Sequence, residues 1–241
     1  MTMREAIEKP AEGARSRPRC AVVTGSASGI GRAIAARLAG EGWRVIGFDK
    51  TTSKDGCANL RSIAVDLTDT DALAEVLADI DEADAVVHAA GFMRTAPLGA
   101  LTPEDGAAMW RIHVETAASI ADALLPKMPQ GGRIVLIGSR TARGAPGRSQ
   151  YAAAKAALVG MARSWAAELA PRGITVNVIA PAATETPMLA DPARGGTPPQ
   201  LPPIGRFVRA QEVAALTAFL LGPEASAITG QQIVICGGSS L

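Results

Sequence analysis

Short runs of β-branched and apolar residues alternate along this chain with longer stretches of helical character. That alternation constrains the fold more than any other feature. Residues 21–24, 44–48, 62–65, 85–88, 133–137, 175–179 and 233–236 read as strands, each short and nearly all apolar. A strand with one wet face alternates apolar and polar residues, so continuous apolar runs point to strands covered on both sides, as in a parallel sheet. Residues 30–41, 70–80, 103–125, 150–169 and 210–221 fit helices between them. Regular strand–helix alternation with right-handed crossovers predicts an α/β fold, a doubly wound parallel β-sheet of about seven strands with helices on both faces.

The 241 residues suit one domain over 19–241, with 1–18 expected to be a mobile tail, since they mix arginines with glutamates and contain no apolar block. Abundant alanine and glycine with only 3% aromatic residues fit helices packed closely on a sheet. A formal net charge of +1 supplies no field to recruit nucleic acid or an anionic membrane. Cys20, Cys57 and Cys236 form neither a paired framework nor a metal-ligand spacing, so a reducing, cytoplasmic setting and no metal are expected. The most apolar stretch, 214–221, is too short to span a bilayer. Residues 191–203 carry five prolines and two glycines, which forbid a long helix or central strand and predict a loop over something.

The segment Thr24-Gly25-Ser26-Ala27-Ser28-Gly29-Ile30-Gly31 ends a strand and opens a helix. Glycines there permit a tight turn and bring backbone N–H groups close to a pyrophosphate, while the helix N-terminus adds partial positive charge. A glycine-rich run alone would be weak support. The next strand, however, ends in Asp49, 18 residues beyond Gly31, where a carboxylate can accept hydrogen bonds from ribose hydroxyls. The pair favours a Rossmann-type dinucleotide site. A 2′-phosphate would face that carboxylate, so NAD(H) is expected over NADP(H). Lys50 beside it argues the other way, whereas neither Ser26 nor Ser28 is basic.

Tyr151 and Lys155 lie four residues apart on a helix, hence on one face with Cβ atoms about 5–6 Å apart. Taking a tyrosine from a pKa of about 10 to about 7 requires roughly 4 kcal/mol. A unit charge at about 4 Å in an effective dielectric of about 20 supplies roughly that much. Tyr151 is the only tyrosine, and Ser139 ends the preceding strand at the sheet edge where α/β enzymes place their active groups.

Thr24-Gly25-x3-Gly29-x-Gly31, Ser139 and Tyr151-x3-Lys155, with Asn177 to Pro181 and the terminal Gly237-Gly238, resemble the short-chain dehydrogenase/reductase family over about residues 18–241. The resemblance implies an NAD(H)-dependent oxidoreductase that interconverts a secondary alcohol and a ketone. Ser139 would hydrogen-bond the reacting oxygen, Tyr151 would transfer the proton, and Lys155 would lower the tyrosine pKa and bind the nicotinamide ribose. It further implies cofactor contacts at Gly25, Ser28, Ile30, Gly31, Asp49, Asp66, Leu67, Ala89, Ala90, Gly91, Pro181, Thr184 and Thr186, and a homotetramer or homodimer. Leu158, Met161, Ala162, Trp165 and Leu169 at helical spacing read as core or subunit interface.

Three departures stand out. The family's Asn-Asn-Ala-Gly is His88-Ala89-Ala90-Gly91 here, its Pro-Gly is Pro181-Ala182, and the position of its relay asparagine holds His113. A histidine there could bind a water or reach Lys155, and would make the relay titratable near pH 6.5; equally, His113 could be a packed side chain that fills space on the 103–125 helix. Two other classes compete: a non-catalytic NAD-binding regulator, disfavoured by the intact Ser–Tyr–Lys set, and a sugar-nucleotide epimerase-like enzyme, disfavoured by the 60 residues after Pro181, too few for a substrate domain. Arg140, Arg143 and Arg148 fall between Ser139 and Tyr151 and suggest either an acidic substrate or surface ion pairs.

Overall fold

The computed structural model describes residues 17–53, 56–191 and 198–241. Chain order runs β1 (Cys20–Thr24), α1 (Gly29–Gly40), β2 (Arg44–Asp49), β3 (Leu60–Ala64), α2 (Thr70–Ala78), β4 (Ala85–His88) and α3 (Pro103–Trp110). It continues through α4 (Thr116–Leu124), β5 (Arg133–Ile137), α5 (Ser149–Leu169), β6 (Thr175–Pro181), β7 (Thr184–Glu185), β8 (Val208–Arg209), α6 (Ala210–Leu221) and β9 (Gln232–Ile235).

Seven strands form one sheet in the order β3-β2-β1-β4-β5-β6-β9, every neighbouring pair parallel. The strand order reverses between β1 and β4, the switch point at whose carboxyl edge α/β proteins bind ligands.

Side-chain alternation explains the uninterrupted apolar strands. Val22, Val86, Ile134 and Leu136 face one core with Leu73, Ile120, Leu124 and Leu158 from α2, α4 and α5. Their neighbours Ala21, Val23, Ala85, Val87, Val135 and Ile137 face a second core with Ile34, Leu38, Val213 and Leu220 from α1 and α6. The central strands β1, β4, β5 and β6 are therefore dry on both faces, whereas edge strands β3 and β9 stay partly exposed. Leu158, Ala162 and Leu169 are core, with Met161 and Trp165 packed against it, so the helical stripe on α5 is a packing face.

Three local expectations change. The helix expected over 103–125 is interrupted by a π-helical turn at Arg111–Glu115 and ends in a 3₁₀ turn at Leu125–Lys127. Hydrophobic periodicity does not register one inserted residue. A two-stranded parallel pair, β7 with β8, was not foreseen because each strand has only two residues. Residues 1–16 of the expected tail lie outside the described residues, but Arg17 is tied down by Glu82 and Asp84 at 2.8 and 2.9 Å. Part of the proline-rich segment, 192–197, also lies outside them; Pro198–Pro203 carry no helix or strand. Among the described residues no helix is long and apolar enough to cross a membrane.

Candidate active site

One cavity of about 1070 Å³ opens at the carboxyl edge of the sheet, over the switch point. Its walls include Gly25, Ser28, Ile30, Gly31, Asp49, Leu67, Ala89, Ala90, Gly91, His113, Ser139, Tyr151, Lys155, Pro181, Thr184 and Thr186. Of the residues expected at the site only Asp66 is absent from the walls. Its carboxylate accepts from the backbone and hydroxyl of Thr68 (3.0 and 2.7 Å) and pairs with Lys50 at 3.0 Å, which holds it well down, at about 2.

At the β1 end the turn is shaped by contacts that exclude side chains. Gly25 has φ +68°, and a Cβ there would stand 3.0 Å from the backbone of Ala90. A Cβ at Gly31 would come within 2.2 Å of the Gly25 carbonyl oxygen. Ser28 at the N-cap of α1 makes no side-chain cap, and the first turn contains no acid. The leading N–H groups of α1 are thus left for an outside acceptor. Asp49 reaches back to accept from the Ala27 backbone at 3.0 Å while still lining the cavity. A cradle that any Cβ would fill, beside an uncapped helix start, fits a dinucleotide pyrophosphate.

At the β5 end, Ser139 caps a 3₁₀ turn, its Oγ accepting from the Thr141 backbone at 3.1 Å. The hydroxyl proton remains available to donate. Tyr151 and Lys155 are buried on α5, and the Lys155 Nζ lies 5.8 Å from the Tyr151 ring centre. That Nζ donates to the Ile137 carbonyl at 2.7 Å, and burial lowers the lysine pKa to about 7. The spacing on one helix face, read from sequence, places the ammonium beside the phenol as expected.

The two histidines brace the site. Thr24 Oγ1 accepts from the Ala89 and Ala90 backbones at 3.1 and 3.0 Å and lies 3.0 Å from His88 Nδ1. With its lone pairs used, the hydroxyl must donate to Nδ1, so the His88 proton sits on Nε2 and goes to the Ile112 carbonyl at 3.0 Å. That carbonyl is open because the π turn diverts the Thr116 N–H to Arg111. His113, on the same turn, engages the Phe92 carbonyl through Nε2 at 2.8 Å and meets the Tyr151 ring edge-on at 5.5 Å. Its Nδ1 is buried without a hydrogen-bond partner.

Burial, reinforced by Lys155, holds His88 down at about 3 and His113 well below 6.5. The expectation of a histidine titrating near neutrality is corrected: His113 stays neutral, and its proton is directed to Phe92 rather than toward Lys155. No pattern in the sequence revealed the Thr24–His88–Ile112 chain, because it depends on the π turn.

Arg140 and Arg148 line the cavity, whereas Arg143 borders a separate shallow hollow with Arg163 and Gln232. Sequence proximity grouped the three, but they line two different hollows. Phe92, Met93 and Met188, which pack with Tyr151, complete an apolar wall that local patterns did not flag.

A family model described as enoyl-(acyl carrier protein) reductase matches residues 25–240. A 3-oxoacyl-(acyl-carrier-protein) reductase of Escherichia coli is 40% identical over 240 residues, covering 90% of this chain and 96% of that one. Among solved structures, a blue fluorescent protein from a metagenomic library in complex with NADPH superposes with a TM-score of 0.84. It has 31% identity and covers 93% of this chain and 99% of its own. A short-chain dehydrogenase from Burkholderia cenocepacia in complex with NADP gives 0.82, with 33% identity and the same coverage.

Proposed function

Since the chain belongs to the short-chain dehydrogenase/reductase family, we propose that it is an NAD(H)-dependent enzyme interconverting a ketone and a secondary alcohol, with 3-oxoacyl thioesters as the first substrate class to try. The observation that carries the reading is one cavity with the glycine turn and Asp49 at one end and Ser139, Tyr151 and Lys155 at the other. The apolar wall of Phe92, Met93 and Met188 suits an acyl arm, and the name of the Escherichia coli relative favours a 3-oxoacyl group.

When bound, the nicotinamide dinucleotide supplies or accepts the hydride. The chain's own groups handle the proton. Ser139, its oxygen already accepting from Thr141, donates to the reacting carbonyl oxygen. Tyr151 gives that oxygen its proton in reduction and takes it back in oxidation. Lys155, anchored by Ile137, keeps donors for the ribose and, when charged, favours the phenolate. The gain is largest where Lys155 retains its proton, below its lowered pKa of about 7.

Asp49 supports NAD(H), because a 2′-phosphate would meet its carboxylate at a cost of up to about 4 kcal/mol per unit charge at 4 Å, reduced by solvent. A rival reading, NADP(H), draws on Lys50 at the cavity wall and on the NADP(H)-bound relatives. Lys50 is paired with Asp66, which weakens that reading. The test is reduction of S-acetoacetyl-N-acetylcysteamine followed by NADH or NADPH absorbance. Turnover favouring NADH is expected; binding without turnover would indicate a sensor, and equal or better efficiency with NADPH would overturn the cofactor assignment.

A further inference from the structure

The charges on the cavity wall are segregated. Asp49 and Lys50 sit at the β2 end, whereas the charged side chains at the catalytic end are, among the described residues, Arg140, Arg148 and Lys155, with the chain-terminal Leu241 also on the wall. Most other arginines near the site are already paired: Arg94 with Asp191 at 3.6 Å and Arg206 with Glu212 at 2.7 Å. Arg140 is not. Among the described residues no carboxylate pairs with it, and one of its five N–H donors goes to the Ser239 carbonyl at 3.2 Å. Arg140 directly follows Ser139, whose capping of the 3₁₀ turn fixes where the guanidinium leaves the sheet edge. Arg148 stands at the N-cap of α5 and also lines the cavity.

We infer that Arg140, with Arg148 adding to the local potential, forms an anion subsite beside Ser139, and that the substrate carries a carboxylate or phosphate in addition to its ketone. The inference rests on the proposed ketone chemistry and names a feature of its substrate. A planar guanidinium with free donors is matched to either anion. Arg140 is half-buried, and a partly desolvated cation is costly unless an anion arrives with the ligand.

Two substrate pairs separate the sources of the anion. Acetoacetate against methyl acetoacetate isolates a carboxylate; acetoacetyl-coenzyme A against S-acetoacetyl-N-acetylcysteamine isolates phosphate. In at least one pair the anionic member is expected to have the higher kcat/KM, through KM, and Arg140→Gln should shrink that preference at least tenfold. Arg140→Lys should retain part of it. Arg143→Gln, in the separate hollow, should leave it intact. No preference in either pair, or the same loss for charged and neutral members in Arg140→Gln, would overturn the subsite while turnover of the neutral esters left the ketone chemistry standing. If no ketone is reduced at all, calorimetric titration of the enzyme–NAD⁺ complex with acetoacetate still decides: saturable binding abolished in Arg140→Gln supports the subsite, and absence of binding removes it.

Discussion

Replacing His88 with Asn should weaken the dependence of stability on acid, by an amount the structure sets. His88 is fully enclosed, donates to the Ile112 carbonyl, and its pKa lies at about 3 against 6.5 for a free histidine. Between those values the unfolded chain binds a proton that the folded chain refuses, so stability falls as pH drops through 6.5 toward 3. At pH 5 the loss relative to pH 8 is about 2 kcal/mol from this one residue. For a domain of this size that corresponds to roughly 4–8 °C in Tm. His113, also displaced downward, acts in the same sense. Asn at 88 can keep one donor and one acceptor but has no proton to gain. Cofactor-free wild type and His88→Asn would be melted by circular dichroism at pH 8 and pH 5. Wild type is expected to be the more stable at pH 8, and the gap should narrow by roughly 4–8 °C at pH 5. A gap that stays constant within about 1 °C would refute the argument that a neutral, proton-excluding His88 braces the site.

Tyr151→Phe should retain NADH affinity, read by fluorescence titration, while kcat falls about 10²–10⁴-fold. Gly91→Ala should be strongly destabilising, because its Cβ would lie 2.0 Å from Cε1 of His113 at a φ of +155°. His113→Ala should recover part of that loss in a double-mutant thermal-melt cycle, and strict additivity would show that the ring is not the obstacle. Because burial lowers Lys155 to about 7 from 10.5, the cofactor-free protein should gain stability as pH rises from 7 toward 10.5. Lys155→Met should flatten that rise in urea titrations.

The sequence by itself determined the layers and the chemistry that depends on short spacing. Strands dry on both faces, the glycine turn entering α1, Asp49 at the end of β2 and the Tyr151–Lys155 pair are local statements. Side-chain periodicity and adjacency along the chain carry them directly. What only the tertiary structure decided involves groups that meet across elements. The π turn at Arg111–Glu115 frees one carbonyl and lets the two histidines brace the site, whereas the family resemblance left His113 open between a titrating relay and a packed side chain. Asp66 left the cavity because Thr68 and Lys50 claimed its oxygens. Arg140 and Arg143, three residues apart, line different hollows, which their adjacency in sequence did not reveal. Burial and partner choice are set by the packed assembly, and a linear pattern holds no record of which donor reaches which acceptor first.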